Sequence, residues 1–369
     1  MNLSRRDLLS ASALLLAGPG ATLRAAGRQS APAGPLVLCW NENPYGPSPA
    51  ARAAVSRSIP EACRYPDDEV ASLTAALAAR EGVSAEHIVT GTGSGELLRA
   101  LGLIYGRDGG EIIAAQPTYD ELAHYAQVWS AAIRFVPLNA QLRHDLPAMH
   151  AAVSPHTRAV YLCNPNNPTG TAVAAAQIRE FVGSLPPTVT TIVDEAYMDF
   201  AATGATGSVV DLVSGGQPVV VLRTFSKIFG LAGLRVGYSV AREDITRLLN
   251  NVRQPFNITS LGLVAVEAGM DDREHVRRTL EVNASGMDYL EREFRRLGLP
   301  FLPSQANFIL VEVGEGRAVY EKLLAEGVIV RPMNGYGLPR HVRVSVGLEE
   351  ENHRMVAALE RVLKAGKPR

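Results

Sequence analysis

Residues 223–237 read Arg-Thr-Phe-Ser-Lys-Ile-Phe-Gly-Leu-Ala-Gly-Leu-Arg-Val-Gly, and this stretch decides the fold. It follows Pro218 to Leu222, an almost unbroken run of Val and Leu that is typical of a buried strand. The polar turn after that strand would place Lys227 at the carboxyl edge of a sheet, where α/β folds bind their ligands. A solvated surface lysine is the alternative interpretation of Lys227 taken alone.

Three polar residues near Lys227 can bind a phosphate dianion. Thr224, Ser226 and Arg235 supply hydroxyl and guanidinium donors about one turn away from the lysine. A lysine whose amine can lose its proton forms an imine with an aldehyde. The stretch is therefore typical of a lysine that holds pyridoxal phosphate, although Arg235 could instead pair with a surface carboxylate.

Two more polar segments follow strand-like runs. The runs are Ala159 to Cys163 and Thr188 to Val193, and the segments after them are Asn164-Pro165-Asn166-Asn167-Pro168-Thr169-Gly170 and Asp194-Glu195-Ala196-Tyr197. If both runs are buried parallel strands, Asn167 and Asp194 emerge at the same sheet edge as Lys227. A carboxylate paired with the pyridine nitrogen keeps that ring protonated and able to accept electrons, and Asn167 with Tyr197 can bind its phenolic oxygen. The alternatives are a Pro-rich turn for Asn167 and a helix N-cap for Asp194.

Together these residues resemble the fold type I pyridoxal phosphate aminotransferases of class I and II, and within them the histidinol-phosphate aminotransferase branch. The resemblance extends over about Leu36 to Ala365. Its further motifs are Asn41-Glu42-Asn43-Pro44-Tyr45-Gly46-Pro47-Ser48-Pro49, Arg64-Tyr65-Pro66-Asp67, Pro117-Thr118-Tyr119, Val330-Arg331-Pro332-Met333, Gly335-Tyr336-Gly337-Leu338-Pro339 and Arg343-Val344-Ser345-Val346-Gly347. Their joint order and spacing are specific, although each motif is weak evidence alone.

The resemblance implies a role for each residue around the cofactor ring. Lys227 would be the Schiff-base lysine and proton shuttle, and Asp194 would bind the pyridine nitrogen. Asn167 and Tyr197 would bind the phenolic oxygen. Tyr119 would stack on the ring, unless it is a core aromatic residue.

The cofactor phosphate is expected at the start of a helix. The resemblance places it on the backbone amides of the turn Gly93-Ser94-Gly95-Glu96, and a helix N-terminus suits an anion. The side chains implied to assist are Thr224, Ser226 and Arg235. The branch is expected to have an acidic residue where Gly95 stands, so the turn departs from the family pattern. Tyr65 would reach the phosphate of the neighbouring subunit, which implies a homodimer with shared sites, unless Tyr65 only packs against the Pro66 turn.

Two arginines on predicted strands are candidates for binding the substrate. Arg343 corresponds to the superfamily's ligand for the substrate α-carboxylate, and Arg331 to an arginine that histidinol-phosphate enzymes turn toward the substrate phosphate. A planar guanidinium binds either anion through two parallel hydrogen bonds, so the amino donor stays open. Arg331 could instead pair with a nearby carboxylate. Asn43 and Tyr45 would line the same entrance or only shape a Pro-rich turn.

Composition and pattern predict an α/β enzyme that acts on small molecules. The 369 residues are 47% apolar with a net charge of −1, and acidic and basic residues are interspersed. No basic face therefore indicates nucleic acid or an anionic membrane. Cys39, Cys63 and Cys163 show no metal-binding spacing, so we expect no metal, although Cys39 and Cys63 could pair in an oxidising compartment.

Alternating strands and helices predict two domains. From His87 to about Val240 they indicate a large pyridoxal phosphate domain with a mostly parallel, doubly wound sheet, and we expect it to span residues 65–258. A long helix from Arg273 to Leu297, later strands and a final helix from Glu349 indicate a smaller α+β domain over residues 259–369. The family resemblance implies that residues 34–64 join the smaller domain.

The first 33 residues predict export. Ser4-Arg5-Arg6-Asp7-Leu8-Leu9 and the apolar stretch up to Ala17 resemble a twin-arginine signal, which would deliver the folded protein to the periplasm through the twin-arginine machinery. The stretch is too short and too weakly hydrophobic for a stable membrane anchor. A cytoplasmic enzyme with an incidental Arg-Arg pair is the alternative.

The expected activity is transfer of an amino group from an amino acid or an amino-alcohol phosphate to a 2-oxo acid. Decarboxylases and lyases of the same fold use the same lysine and aspartate, so these reactions are an alternative. A further alternative is an exported binding protein that keeps the fold without catalysis, although the complete cofactor set argues against it.

Overall fold

A computed structural model describes residues 34–365 of the chain. The predicted export signal lies outside the described residues. The strands are β1 (Leu36–Val37), β2 (Ile88–Gly91), β3 (Glu111–Gln116), β4 (Ala132–Pro137), β5 (Thr157–Cys163), β6 (Thr190–Asp194), β7 (Val219–Thr224), β8 (Gly237–Ala241), β9 (Phe308–Glu312), β10 (Val328–Ile329), β11 (Arg331–Pro332) and β12 (His341–Ser345). The α-helices span Pro49–Ser58, Asp67–Glu81, Ser94–Gly106, Glu121–Val128, Leu146–Ala151, Ala175–Ser184, Asp211–Ser214, Glu243–Val252, Ser260–Gly269, Arg273–Leu297, Gly316–Ala325 and Glu349–Ala365. Among the described helices, none is long and apolar enough to span a bilayer.

The largest sheet has the strand order β2-β8-β7-β6-β5-β3-β4. Strands β4, β3, β5, β6 and β7 are mutually parallel, and β8 is antiparallel to both of its neighbours. Alternate residues of a strand point to opposite faces, and both faces are buried: Val219 and Val221 enter one apolar cluster, Val220 and Leu222 the other. The predicted mostly parallel, doubly wound α/β sheet is confirmed.

A second apolar cluster lies around β9, β11 and β12, and it contains the buried faces of the helices Arg273–Leu297 and Glu349–Ala365. Leu36 and Leu38 are buried in the same cluster, because β1 pairs in parallel with β10. The long helix has the bounds that the sequence predicts.

Two helices that the predicted bounds assign to the smaller domain pack against the large sheet. Ala51 of the helix Pro49–Ser58 is buried with the residues of the large sheet, and so are Leu263 and Val266 of the helix Ser260–Gly269. These two helices pack against each other. Burial of their apolar faces assigns both helices to the core of the large sheet.

The register of the sheet brings the candidate residues to one edge. Cys163, the last residue of β5, pairs with Asp194 at the end of β6, and Asp194 pairs with Leu222 of β7. Strand β8 joins this edge to the turn after β2, since Gly237 pairs with both Thr224 and Gly91. The turns after β2, β5, β6 and β7 therefore lie side by side.

Candidate active site

Lys227 lies in the turn after β7 and is largely enclosed. Its Nζ donates a hydrogen bond to the backbone oxygen of Trp40 at 3.1 Å and lies 5.5 Å from the centroid of the Tyr197 ring. Burial, reinforced by the positive charge of Arg343, lowers the pKa of the amine to about 8. A substantial fraction of the amine is therefore neutral near physiological pH, as a nucleophile requires.

Asp194 is the last residue of β6, and its side chain is buried. The hydroxyl of Tyr161 donates to Oδ2 at 3.2 Å, and the amide of Ala196 donates to Oδ1 at 3.2 Å. Burial raises the pKa of this carboxyl to about 6. A buried acid with few donors is suited to pairing with a cationic ring nitrogen, which is the role predicted for it.

Glu195, the next residue, faces the other side of the sheet. It is buried beside Arg223, with 2.9 Å between the guanidinium Nε and the carboxylate. The adjacent acids thus have different neighbours, because successive side chains of an extended backbone point to opposite faces.

Asn167 and Tyr197 lie between Asp194 and the arginine of β12. The side-chain oxygen of Asn167 accepts a hydrogen bond from Nη1 of Arg343. Nδ2 of Asn41 donates to the Tyr197 hydroxyl at 3.0 Å, and the ring of Tyr197 packs edge-to-face on Phe308. Both predicted ligands of the phenolic oxygen are thus fixed by neighbours.

The predicted phosphate side chains lie together. The hydroxyl of Thr224 donates to the hydroxyl of Ser226 at 3.0 Å, and Nη1 of Arg235 donates to the same Ser226 oxygen at 3.3 Å. Arg235 has left-handed backbone torsions (φ 56°, ψ 63°), which are costly for a residue with a side chain and cluster at functional sites.

The helix Ser94–Gly106 begins beside these side chains. No side chain caps its N-terminus, so its first amides are available to an anion. Gly93 has φ 74°, and a Cβ there would lie 2.3 Å from Nη2 of Arg235. The carboxylate of Glu96 instead accepts from the backbone of Thr92 and the side chain of Asn257, both at 2.6 Å, so only its backbone can serve the predicted role.

Glu121 occupies the space that the missing side chain at Gly95 leaves. A Cβ on Gly95 would lie 3.0 Å from Oε2 of Glu121. The hydroxyl of Tyr119 donates to that oxygen at 2.5 Å, and Arg99 donates twice to Oε1 at 2.8 and 3.0 Å. A carboxylate is therefore present beside the turn even though position 95 has none, and it anchors Tyr119.

Arg331 and Arg343 are direct partners in the antiparallel pair β11–β12. Arg343 is 5% exposed, donates to Asn167 and to the backbone oxygen of Cys39 at 2.8 Å, and has a buried Nε without an acceptor. The guanidinium carbon of Arg331 lies 5.0 Å from the ring centroid of Trp40. Within residues 34–365, neither arginine forms an ion pair with a carboxylate, so the carboxylate pairing considered for Arg331 is absent there.

The three remaining candidate residues, Asn43, Tyr45 and Tyr65, differ in their burial and contacts. The buried amide of Asn43 donates to Ile228 and Thr279 and accepts from the backbone of Tyr45, so Asn43 holds the turn, which is the second of the two roles considered for it. Tyr45 is partly exposed, with Arg278 above its ring. Tyr65 is 78% exposed and lies 4.7 Å from the Phe256 ring, not against the Pro66 turn alone.

The three cysteines are free thiols. Cys39 is buried and Cys63 is exposed, so the Cys39–Cys63 disulfide considered from the sequence is not formed. Sequence reasoning missed Trp40, Asn41, Glu121 and Tyr161. Asn41 is the first residue of a recognised motif and Trp40 directly precedes it, whereas no sequence signal marks Glu121 or Tyr161.

The family model for "Aminotransferase class I and II" matches residues 33–359. The histidinol-phosphate aminotransferase of Moorella thermoacetica is 44% identical over 330 residues, which are 89% of this chain and 85% of that protein. Histidinol-phosphate aminotransferase 1 of Nitrosococcus oceani is 42% identical over 347 residues, 94% of each chain. The crystal structure of the Sinorhizobium meliloti histidinol-phosphate aminotransferase in complex with pyridoxal-5'-phosphate is similar with a TM-score of 0.83 and 28% identity, covering 89% of this chain and 90% of that one.

Proposed function

Because the chain belongs to the class I and II aminotransferases, which use pyridoxal phosphate, we propose that its amino donor is a phosphorylated amino alcohol of the histidinol phosphate type. The chain is an aminotransferase, and a 2-oxo acid is the acceptor. The chemical class of the amino donor depends on the residues that this chain places around the substrate.

The residues of the candidate site fit pyridoxal phosphate. The uncapped helix N-terminus at Ser94 and the guanidinium of Arg235 form a cradle for a dianion, and a side chain at Gly93 would fill it. Lys227 lies within the same sheet edge with a weakly basic amine, and Asp194 supplies a buried carboxyl. Each requirement of the cofactor thus has a group in place.

The bound cofactor supplies an electron sink for negative charge that develops on the substrate carbon. In the mechanism that we propose, Lys227 removes the proton from the substrate carbon that carries the amino group and later returns one. Its pKa near 8 favours this exchange, because a general base works best when its pKa is close to the working pH. Asp194 would hold positive charge at the ring nitrogen of the cofactor, and Tyr119 and Asn167 would keep the cofactor ring in place.

Arg331 opposite Arg343 is the observation that carries the donor assignment. Arg331 and Arg343 are on paired strands, and within the described residues neither forms an ion pair with a carboxylate, so together they supply the two positive charges that a doubly charged anion requires. A phosphate monoester carries nearly two negative charges at neutral pH, whereas an α-carboxylate carries one. The curated relatives named above are histidinol-phosphate aminotransferases, which supports the same donor.

The experiment is an absorption titration of the purified protein with bound cofactor. Histidinol phosphate and a panel of free amino acids are added separately, and conversion of the cofactor to pyridoxamine phosphate is followed. Conversion at far lower concentrations of the phosphate ester supports the donor assignment. Equal or better conversion by free amino acids with uncharged side chains rejects it, and release of carbon dioxide with unchanged cofactor would indicate a decarboxylase.

We also propose that the enzyme is a homodimer exported by the twin-arginine route. The exposed rings of Tyr65 and Phe256 support the first part, because they contact each other and form an apolar patch, and contiguous exposed apolar patches are favoured contact sites. The Arg5-Arg6 pair before an apolar stretch supports the second part, and cytoplasmic residence is the alternative.

A further inference from the structure

Trp40 presents an aromatic ring to solvent from a buried segment. Its neighbours Cys39 and Asn41 are 5% and 1% exposed, whereas Trp40 is 55% exposed. Cys39 accepts a hydrogen bond from Arg343, and Asn41 bonds Ser345 and Tyr197, so the segment is fixed on both sides. An indole held outward at such a position is exposed by the backbone geometry and not by loose packing.

The ring of Trp40 lies under the guanidinium of Arg331. The guanidinium carbon is 5.0 Å from the ring centroid, within the distance at which a cation is attracted to an aromatic face. This cation–π contact uses none of the N–H donors of Arg331. Within residues 34–365, no carboxylate forms an ion pair with Arg331. The donors of Arg331 therefore stay free for a planar, two-bond contact with an anion.

We infer that Trp40 is a specificity residue that holds Arg331 ready for the phosphate group of the donor. The inference rests on the proposed function, because it takes Arg331 as one of the two arginines that bind the phosphate of the donor. Preorganisation lowers the entropy lost when a flexible arginine binds its ligand. The backbone oxygen of Trp40 also accepts the hydrogen bond from Lys227, so one residue contacts both the substrate arginine and the reactive amine.

Steady-state kinetics of Trp40→Ala and Trp40→Phe test the specificity. The contact is of the strength that changes affinity roughly two- to fivefold. Trp40→Ala should raise the ratio of the KM for histidinol phosphate to the KM for an uncharged amino acid by that factor, with a larger effect on KM than on kcat, because the backbone oxygen remains. Trp40→Phe should restore most of the loss. An unchanged ratio in Trp40→Ala would overturn the inference.

Fluorescence gives a readout that does not depend on turnover. The chain has two tryptophans, so Trp129→Phe leaves Trp40 as the sole indole. Inorganic phosphate should change the emission of this holoenzyme saturably, and the change should be absent when Arg331→Gln is added. Arg317→Gln, which removes an exposed arginine of the helix Gly316–Ala325, is the matched control and should keep the response.

The outcomes separate the two claims. If histidinol phosphate converts the bound cofactor but phosphate leaves the Trp40 emission unchanged, the inference is wrong and the donor assignment stands. If histidinol phosphate does not convert the cofactor in the unaltered enzyme, the donor assignment fails and the inference fails with it.

Discussion

Arg343 donates a hydrogen bond from Nη1 to the side-chain oxygen of Asn167, a residue 176 positions earlier in the chain. Asn167 follows β5 of the large sheet, and Arg343 lies on β12 of the small one. The residue predicted to touch the cofactor therefore contacts the arginine predicted to bind the substrate. An anion bound to Arg343 would compete with Asn167 for the guanidinium, which links substrate binding to the position of Asn167.

Asp194→Asn should stabilise the cofactor-free protein at neutral pH. Burial raises the pKa of Asp194 to about 6, against an ordinary value of 3.8. Between pH 3.8 and about pH 6, Asp194 keeps its proton in the folded state and loses it in the unfolded state. The free energy of unfolding therefore falls as the pH rises through this range. The full loss is about 3 kcal/mol for a shift of this size. Denaturant unfolding of both cofactor-free proteins from pH 4 to 7 measures it, and parallel pH profiles would contradict the prediction.

Glu121→Ala should weaken cofactor binding by roughly tenfold. The Tyr119 hydroxyl would lose its acceptor, and the Tyr119 ring would no longer be held in position. Glu121→Gln keeps an acceptor and should bind nearly normally. Gly95→Asp should also weaken binding, since its carboxylate would crowd Glu121, and Gly95→Asp combined with Glu121→Ala should recover part of the loss. Absorbance titrations with pyridoxal phosphate give the dissociation constant of each variant, and these constants are compared with that of the unaltered protein. Equal constants for Glu121→Ala and the unaltered protein would show that Glu121 does not position Tyr119.

Tyr65→Phe should reduce cofactor retention if Tyr65 reaches the phosphate of a neighbouring subunit. One hydrogen bond to a charged group accounts for a loss of about tenfold or more in affinity. Tyr289→Phe removes a hydroxyl from the long helix and serves as the control. Cofactor retention during gel filtration, with the molecular mass recorded by light scattering, tests both the contact and the dimer. A monomer that retains cofactor would refute the shared site.

Residues 1–40 fused to a reporter should direct it to the periplasm, and changing Arg5 and Arg6 together to Lys should stop delivery, because the twin-arginine route reads both guanidinium groups. Cell fractionation measures the distribution of the reporter. Periplasmic delivery that survives the double substitution would reject the twin-arginine assignment.

The sheet and its edge could be predicted from the sequence because both depend on local pattern. The runs before Asn167, Asp194 and Lys227 are almost wholly apolar, which is typical of parallel strands that are buried on both faces. Parallel strands run in one direction, so their carboxyl ends share one edge of the sheet. The core in which the helix Ser260–Gly269 is buried could not be predicted from local pattern. Its pattern is apolar enough for either core, and only its packing against Pro49–Ser58 assigns it to the large one.

The supporting residues could not be predicted because their partners are distant in sequence. Tyr161 reads as one more apolar strand residue, yet its hydroxyl donates to Asp194, 33 positions away. Glu121 reads as a helix-start acid, yet it fills space beside Gly95. Asn43 is a polar residue in a recognised motif, and the sequence leaves open whether it lines the substrate entrance or shapes the turn. The hydrogen bond from its amide to the backbone oxygen of Ile228 joins residues 185 positions apart, so it could not be predicted.

The most direct test of the account is the mass of the protein after reduction with borohydride, which fixes a cofactor held through an imine to a lysine. The unaltered protein should gain the mass of one reduced cofactor on the peptide that contains Lys227, and it should transfer amino groups. Lys227→Ala should gain no mass and lose all turnover, while cofactor can still bind without a covalent bond. Covalent cofactor or retained transamination in Lys227→Ala would contradict the account.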